Sequence, residues 1–333
     1  PAISLRAEQT KADAKFEAAE NQLRPVNFKD YIGQTKLKEL LQISIGAAQQ
    51  RNDVSSLGHI LLYGPPGLGK TSCAYMIAEE LGTEAKVFSA PALERPKDII
   101  GILMSLNHGD VLFIDEIHRL NKITEELLYP ALEDFQVDLS SGKGSSSRVM
   151  RLAINRFILV GATTKLGYLS APLRDRFVHI HRMELYSDDE LASLVTRNSR
   201  ILGISTDAAA ALVIARRARG TPRIVNRLLR LVRDYAQHQN THHIDATLAA
   251  TALDAYKIDP SGLDAMDRRI LSTMRDRYGE NPVGLNAIAA IIGEDKETVE
   301  DYYEPFLLQQ GLIARTPRGR VLTARGLEYL RSN

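Results

Sequence analysis

The 333-residue chain is 44% hydrophobic and 25% charged, the composition of a folded globular protein long enough for more than one domain, which excludes wholesale disorder. Its formal net charge of +1 gives no sign of a polyanionic partner, so a nucleic-acid role must rest on local clusters of basic side chains. A lone cysteine, Cys73, excludes an intrachain disulfide. No apolar run approaches the roughly 20 residues that span a bilayer, and no signal-peptide block stands near the N-terminus, so a cytoplasmic location is expected.

Residues 1–20 are polar, without a sustained apolar face, and read as a lead-in with no assigned function. Apolar residues at helical spacing from Leu37 to Ile45 predict a helix, and the run His59 to Tyr63 predicts a buried strand ending at Gly64-Pro-Pro-Gly67. Cys73 falls in the apolar pattern of the following helix and reads as core filler. Two more buried-strand runs, Val111 to Ile114 and Phe157 to Val160, alternate with helical patterns. An α/β domain over 21–186 with a parallel sheet follows.

Beyond Tyr186 the strand signals stop, and 187–258 reads as a small helical domain broken near Gly203 and Gly220. From 259 to 333 the pattern is three helices, then Leu312 to Arg315, a turn at Thr316-Pro-Arg-Gly319, and Arg320 to Thr323. Helices followed by a hairpin describe a winged helix, a DNA-binding variant of the helix-turn-helix.

Gly64-Pro-Pro-Gly-Leu-Gly69-Lys70-Thr71 has the spacing of a phosphate-binding P-loop, and it stands where that motif must, between a strand and a helix. Glycines such as Gly67 and Gly69 turn backbone N–H groups toward phosphate oxygens, and the helix adds the positive end of its dipole. Lys70 is suited to the β- and γ-phosphates and Thr71 to Mg²⁺. The second strand ends in Asp115-Glu116. One carboxylate there can hold Mg²⁺ and the next can orient an attacking water, which predicts hydrolysis as well as ATP binding. His118 reads equally as a partner of this site or as an ordinary histidine.

Arg174 and Arg176, in Pro172-Leu-Arg-Asp-Arg-Phe177, carry guanidinium groups suited to the charge on a transferring phosphoryl group. Far from the P-loop in sequence, they suit a neighbouring subunit's ATP; a salt-bridged surface loop is the other reading. Arg223 follows Pro222 at the start of an Arg-rich helix, a place where phosphate can bind. The remaining arginines of that stripe read as a solvated face.

From about Leu23 to Gly326 the chain resembles the RuvB family, AAA+ motors of bacterial Holliday-junction branch migration. The likeness runs through Tyr31-Ile-Gly-Gln34, the P-loop, Val111 to Leu120, Gly161-Ala-Thr-Thr164, Pro172 to Phe177 and Gly220-Thr-Pro-Arg223. It continues through Glu304-Pro305, Gln309-Gln-Gly311 and Arg315-Thr-Pro-Arg-Gly-Arg320, a winged-helix signature that separates this family from clamp loaders. The resemblance implies a P-loop AAA+ domain, a lid and a winged helix. It also implies a homohexamer that hydrolyses ATP with Mg²⁺ on double-stranded DNA, with RuvA as partner and RuvC in a resolving complex. The alternatives are another AAA+ DNA-remodelling or clamp-loader-like ATPase, or a winged-helix regulator liganded by ATP; Glu116 and the paired arginines argue against the regulator.

The family pattern further implies that Leu23, Arg24, Tyr31, Ile32 and Tyr186 border the adenine and that Lys70, Thr71 and Ser72 hold phosphates and Mg²⁺. Glu116 polarises the water. Thr164 is the first sensor, with Thr163 the less favoured substitute, and Arg223 the second. Arg176 is the trans-acting finger, supported by Arg174. Arg315, Arg318 and Arg320 bind DNA phosphates without reading sequence. The segment after Phe135 matches a hairpin that docks on RuvA, for which Val149, Met150 and Leu152 are the apolar candidates. It departs from the family in a serine-rich tip, Ser140 to Ser147, and in Asn155-Arg156 where a Pro-Pro pair is usual.

Overall fold

The computed structural model describes residues 22–141 and 148–332; the lead-in at 1–20 lies outside them. Two compact units form. One comprises the chain up to Leu194 together with Thr221–Asn226, the other Val195–Gly220 and everything from Arg227.

The first unit is built on five parallel strands: β1 (Ile60–Tyr63), β2 (Ala85–Ser89), β3 (Val111–Asp115), β6 (Ile158–Thr163) and β7 (His179–Arg182). Their order is β2-β3-β6-β1-β7. Helices α1 (Thr35–Gln50), α2 (Lys70–Leu81), α3 (Pro96–Met104), α4 (Lys122–Glu133) and the short α5 (Ala171–Arg174) belong to the same unit. The central strands are buried except at Tyr63 and Asp115, the last residues of β1 and β3, which is why they read as continuous apolar runs. One core side gathers Leu61, Leu112, Ile114, Leu128 and Leu159 with Phe157 and Phe177. His59 stitches it together: its Nδ1 accepts the Leu159 N–H at 3.0 Å while Nε2 donates to the Leu132 carbonyl at 3.0 Å. Burial holds its pKa below the ordinary histidine value, so it is a neutral structural group.

This topology positions a site. Strands β3, β6 and β1 are adjacent and parallel, so the P-loop after β1, Asp115-Glu116 at the end of β3 and Thr163-Thr164 at the end of β6 emerge along one edge. An antiparallel hairpin, β4 (Gln136–Ser141) with β5 (Arg148–Ala153), projects between α4 and β6 in the chain.

The second unit takes in the latter half of α6 (Asp188–Ile201) and most of α8 (Pro222–His238), with α7 (Ala208–Arg216), α9 (Ala246–Ala255) and a two-residue parallel pair, β8 (Ser205–Thr206) with β9 (His243–Ile244). It continues into α10 (Ala265–Tyr278), α11 (Leu285–Ile292), the short α12 (Lys296–Thr298), a π turn at Val299–Tyr303 and α13 (Glu304–Gln309). The hairpin β10 (Ile313–Thr316) with β11 (Gly319–Leu322) and α14 (Ala324–Ser332) complete it. Helices plus hairpin make the expected winged helix, closed over Ile270, Leu271, Ile288, Phe306, Leu307 and Leu322.

Two buried arginines brace this unit, Arg217 within the lid segment and Arg219 between the lid and the winged helix. Arg217 donates to Asp254 and to the Ile258 carbonyl at 2.6 and 2.7 Å. Arg219 donates to the Gly262 carbonyl at 2.9 Å and to Asp264 and Asp267 at 3.2 and 2.5 Å, with its guanidinium carbon 4.5 Å from the Phe306 ring centroid. Asp267 is fully buried; desolvation pushes its carboxyl up to about 7 against the pull of Arg219. Arg219→Ala would strand that carboxylate, and a loss of about 3–5 kcal/mol in the stability of this unit is expected. A carboxyl with a folded pKa above its unfolded value stabilises less as pH rises from about 4 through about 7. Without the arginine its pKa rises further, and below about 7 both folded forms keep the proton, so the extra deficit should open above that value, where the parent carboxyl ionises beside Arg219 and the variant's does not; thermal melts at pH 5 and pH 9 check this, and equal deficits would refute it.

Candidate functional site

The P-loop is shaped by its glycines. Gly67 has φ +80°, and a Cβ there would stand 3.0 Å from the Cβ of Arg223, whose N–H reaches the Gly67 carbonyl at 3.3 Å. Gly69, φ +96°, caps α2, whose first residue is Lys70. A side chain at either place would be strained. Lys70 is buried, and its Nζ donates to the Pro65 carbonyl at 2.8 Å, so the loop holds its own cation. Burial pulls the ammonium below the ordinary lysine range, opposed by Asp115 and Glu116. Thr71 and Ser72 follow, half-buried in the first turn of α2. Cys73 is fully buried with its thiol pushed up to about 12, the inert core group expected.

Two tyrosines wall the loop. Tyr186 donates to the Leu68 carbonyl at 3.3 Å, and its hydroxyl oxygen lies 3.2 Å from that of Tyr31; both rings are buried, and burial raises both hydroxyl pKa values, that of Tyr186 to about 12. Leu23 is buried, Ile32 half-buried, and the Arg24 guanidinium carbon lies 5.5 Å from the Tyr75 ring centroid. Pro222 opens α8, and Arg223 beside it is exposed at the P-loop.

At the carboxylate end, Glu116 has a left-handed backbone, φ +50°, ψ +43°. Such strain in a non-glycine residue is characteristic of functional sites. The Thr164 hydroxyl donates to Glu116 Oε2 at 3.2 Å. The Nδ1 of His118 lies 3.2 Å from the same oxygen and 2.9 Å from the hydroxyl of Thr163, which in turn accepts the Lys165 N–H at 3.0 Å. Thr163 is fully buried. The structure thus gathers Lys70, Asp115, Glu116, Thr164 and Arg223; of the two readings left open for His118 it favours the partner of this site, and Thr163, the less favoured sensor position, turns its hydroxyl to that histidine.

Arg174 and Arg176 lie apart from this cluster. Arg176 donates to the Pro172 carbonyl at 2.5 Å, pairs with Glu133 at 3.0 Å and lies 4.2 Å from the Tyr129 ring centroid. Tyr129 and Ser170 both donate to Glu125, which braces this platform. Arg174 ends α5, half-buried.

On the β4–β5 hairpin, Met150 is exposed, the side chain of Val149 lies outside the described ones, and Leu152 packs against the unit's own core. In the wing, Arg315 and Arg320 both bind Glu304, whereas Arg318 stands exposed at the turn. Among the described residues no helix is long and apolar enough to cross a membrane.

A P-loop at the end of a central strand, an Asp-Glu pair on a neighbouring strand and an arginine opening a later helix define a P-loop ATPase of the AAA+ class. The family models agree along the chain. "Holliday junction DNA helicase RuvB P-loop domain" matches residues 23–183, "RuvB AAA lid domain" 186–259 and "RuvB C-terminal winged helix domain" 260–331. The chain belongs to the RuvB family. It is 54% identical over 314 residues to the Holliday junction branch migration complex subunit RuvB 1 of Synechococcus sp. (strain JA-3-3Ab), covering 94% of this chain and 82% of that one. To RuvB of Synechocystis sp. it is 54% identical over 316 residues, 95% and 87% of the two chains. The structure of the Thermotoga maritima RuvB Holliday junction branch migration motor superposes with a TM-score of 0.84 at 45% identity, over 93% of this chain and 98% of that one.

Proposed function

We propose that this chain is the ATP-driven motor that moves duplex DNA through Holliday junctions, acting in the cytoplasm as a homohexameric ring with RuvA during recombination and repair, and with RuvC in a resolving complex. The observation that carries the reading is the joining of one hydrolytic edge, Lys70 to Glu116 to Thr164, with a winged helix in a chain matched by RuvB models along almost its whole length.

The residues divide the work. Leu23, Arg24, Tyr31, Ile32 and Tyr186 bound the adenine. Lys70 exchanges the Pro65 carbonyl for the β- and γ-phosphates, and the N–H groups of the loop and Ser72 cradle the rest. The hydroxyl of Thr71 and the carboxylate of Asp115 are hard oxygen donors that fit Mg²⁺, which when bound would neutralise phosphate charge. Glu116 orients and polarises the attacking water. Thr164 holds the Glu116 carboxylate while sensing the γ-phosphate, so the two respond together. Arg223, set by Pro222, reads the same phosphate from its own subunit; Arg176, supported by Arg174, does so from the neighbour. Arg315, Arg318 and Arg320 grip duplex phosphates. Met150 at the exposed face of the β4–β5 hairpin, with Val149, supports docking of RuvA there; Leu152 contributes by anchoring the hairpin to the core.

The test is ATP-dependent dissociation of a synthetic four-way junction, with and without the matching RuvA. Movement that needs ATP, Glu116 and RuvA is expected. ATP hydrolysis with no junction movement, where a known RuvA–RuvB pair moves it, would leave an AAA+ ATPase with another substrate.

A further inference from the structure

The expected DNA-binding arginines are not three equivalent cations. Arg315 and Arg320 face each other directly across β10 and β11, an arrangement in which like charges repel. The opposing charge is supplied from α13. Glu304, 2% exposed, accepts from Arg315 Nε and Nη2 at 3.0 and 3.0 Å and from Arg320 Nε and Nη2 at 2.7 and 3.0 Å. One carboxylate is thus gripped by two forks, each through its Nε–Nη2 edge, and neither Nη1 is spent on it. Burial opposes the Glu304 charge, but the four bonds hold its carboxyl below the ordinary range.

The backbone around this clamp is specialised as well. Glu304 follows the π turn Val299–Tyr303 and precedes Pro305, which has no N–H to continue a regular ladder. On the hairpin side, Val283 and Arg320 exchange two backbone hydrogen bonds of 2.8 Å, and Thr316 donates to the Gly319 carbonyl at 2.8 Å, so the base of the wing is pinned. Arg318 sits beyond this pinned frame, exposed at the tip.

We propose that Glu304 is the positioning residue of the wing: it aligns Arg315 and Arg320 so that their outer edges meet successive duplex phosphates, while Arg318 makes the independent contact at the tip. The proposal rests on the reading of the wing as the duplex-binding element. Its consequence runs against simple electrostatics. Deleting a negative charge beside a DNA-binding surface should tighten binding, whereas loss of the clamp should weaken it, because two released guanidinium groups repel and must be re-ordered on every encounter.

The experiment measures affinity of the full chain for a mixed-sequence duplex oligonucleotide across a salt series, for Glu304→Gln, Glu304→Asp and Arg318→Ala, with melting of each variant followed by circular dichroism. Each phosphate contact contributes about 0.9 to the slope of log K against log salt. Arg318→Ala should lower the slope by about one. Glu304→Gln should weaken binding about tenfold and lower the slope by between about one and two, as expected when one or both aligned contacts are lost. If Glu304→Gln proves unfolded, Glu304→Asp, which keeps the charge but withdraws it by one methylene, is read instead and should weaken binding in the same direction. Unchanged or tighter binding by the folded Glu304 variant, with Arg318→Ala still effective, overturns the clamp. No effect of Arg318→Ala and of the Glu304 variant together overturns the wing reading itself.

Discussion

Replacing Arg176 with alanine should slow ATP turnover in the assembled ring by about 10³–10⁵-fold, the range seen when a trans-acting arginine is withdrawn from a phosphoryl-transfer site, while ATP binding persists. The structure gives the expectation two competing arms. Within its own chain Arg176 rests on Tyr129, Glu133 and the Pro172 carbonyl. If that platform is its whole purpose, alanine removes a half-exposed ion pair and a cation–π contact worth together about 1–2 kcal/mol of stability, and leaves turnover near normal. If it is a resting place, its contacts are weak enough to be exchanged for a neighbour's γ-phosphate. Mixing separates the arms. A subunit carrying Glu116→Gln has no working site of its own but an intact finger, so adding it to Arg176→Ala subunits should restore turnover at the mixed interfaces. No recovery, with rings shown to be mixed, would refute action in trans.

Glu116→Gln should cut turnover by about 10²–10⁴-fold, the usual contribution of a positioned acid or base, and trap ATP on the protein. Glutamine isolates the chemistry unusually well here. It pays the same cost for the left-handed backbone that glutamate pays, and its amide oxygen can still accept the Thr164 hydroxyl, so the fold of the β3 end should not change. What is lost is the negative charge that, on the proposed reading, polarises the attacking water. Single-turnover measurements with retained nucleotide quantified on filters read this directly; fast hydrolysis by the variant would move the role to another group, and Asp115 is the one at hand.

Much of the site is legible in the sequence because its chemistry is local. The P-loop needs glycines at fixed offsets within eight residues, and the Asp-Glu pair is announced by the buried run of β3 just before it. Strands β1, β3 and β6 are covered on both faces and so read as apolar runs. Strands β2 and β7 escaped because they are the sheet's edges: half-buried segments such as His179–Arg182 carry polar residues that break the run. The distinct α/β, helical and winged-helix compositions likewise separate along the chain before any contact is known.

What only the tertiary structure decided are the pairings across long stretches of chain. Thr163 meets His118, Arg219 meets Asp267, and Glu304 meets Arg315 and Arg320, each joining residue types that serve many purposes on a surface. Nothing in a threonine's neighbours says that a histidine 45 positions earlier will reach it. Periodicity and turn chemistry are properties of a few consecutive residues and survive in the unfolded chain's sequence, so they can be read there. The partner of a buried charge is set by how the elements pack, because burial makes an unpaired charge costly and the packing alone determines which opposite charge is near enough to relieve it.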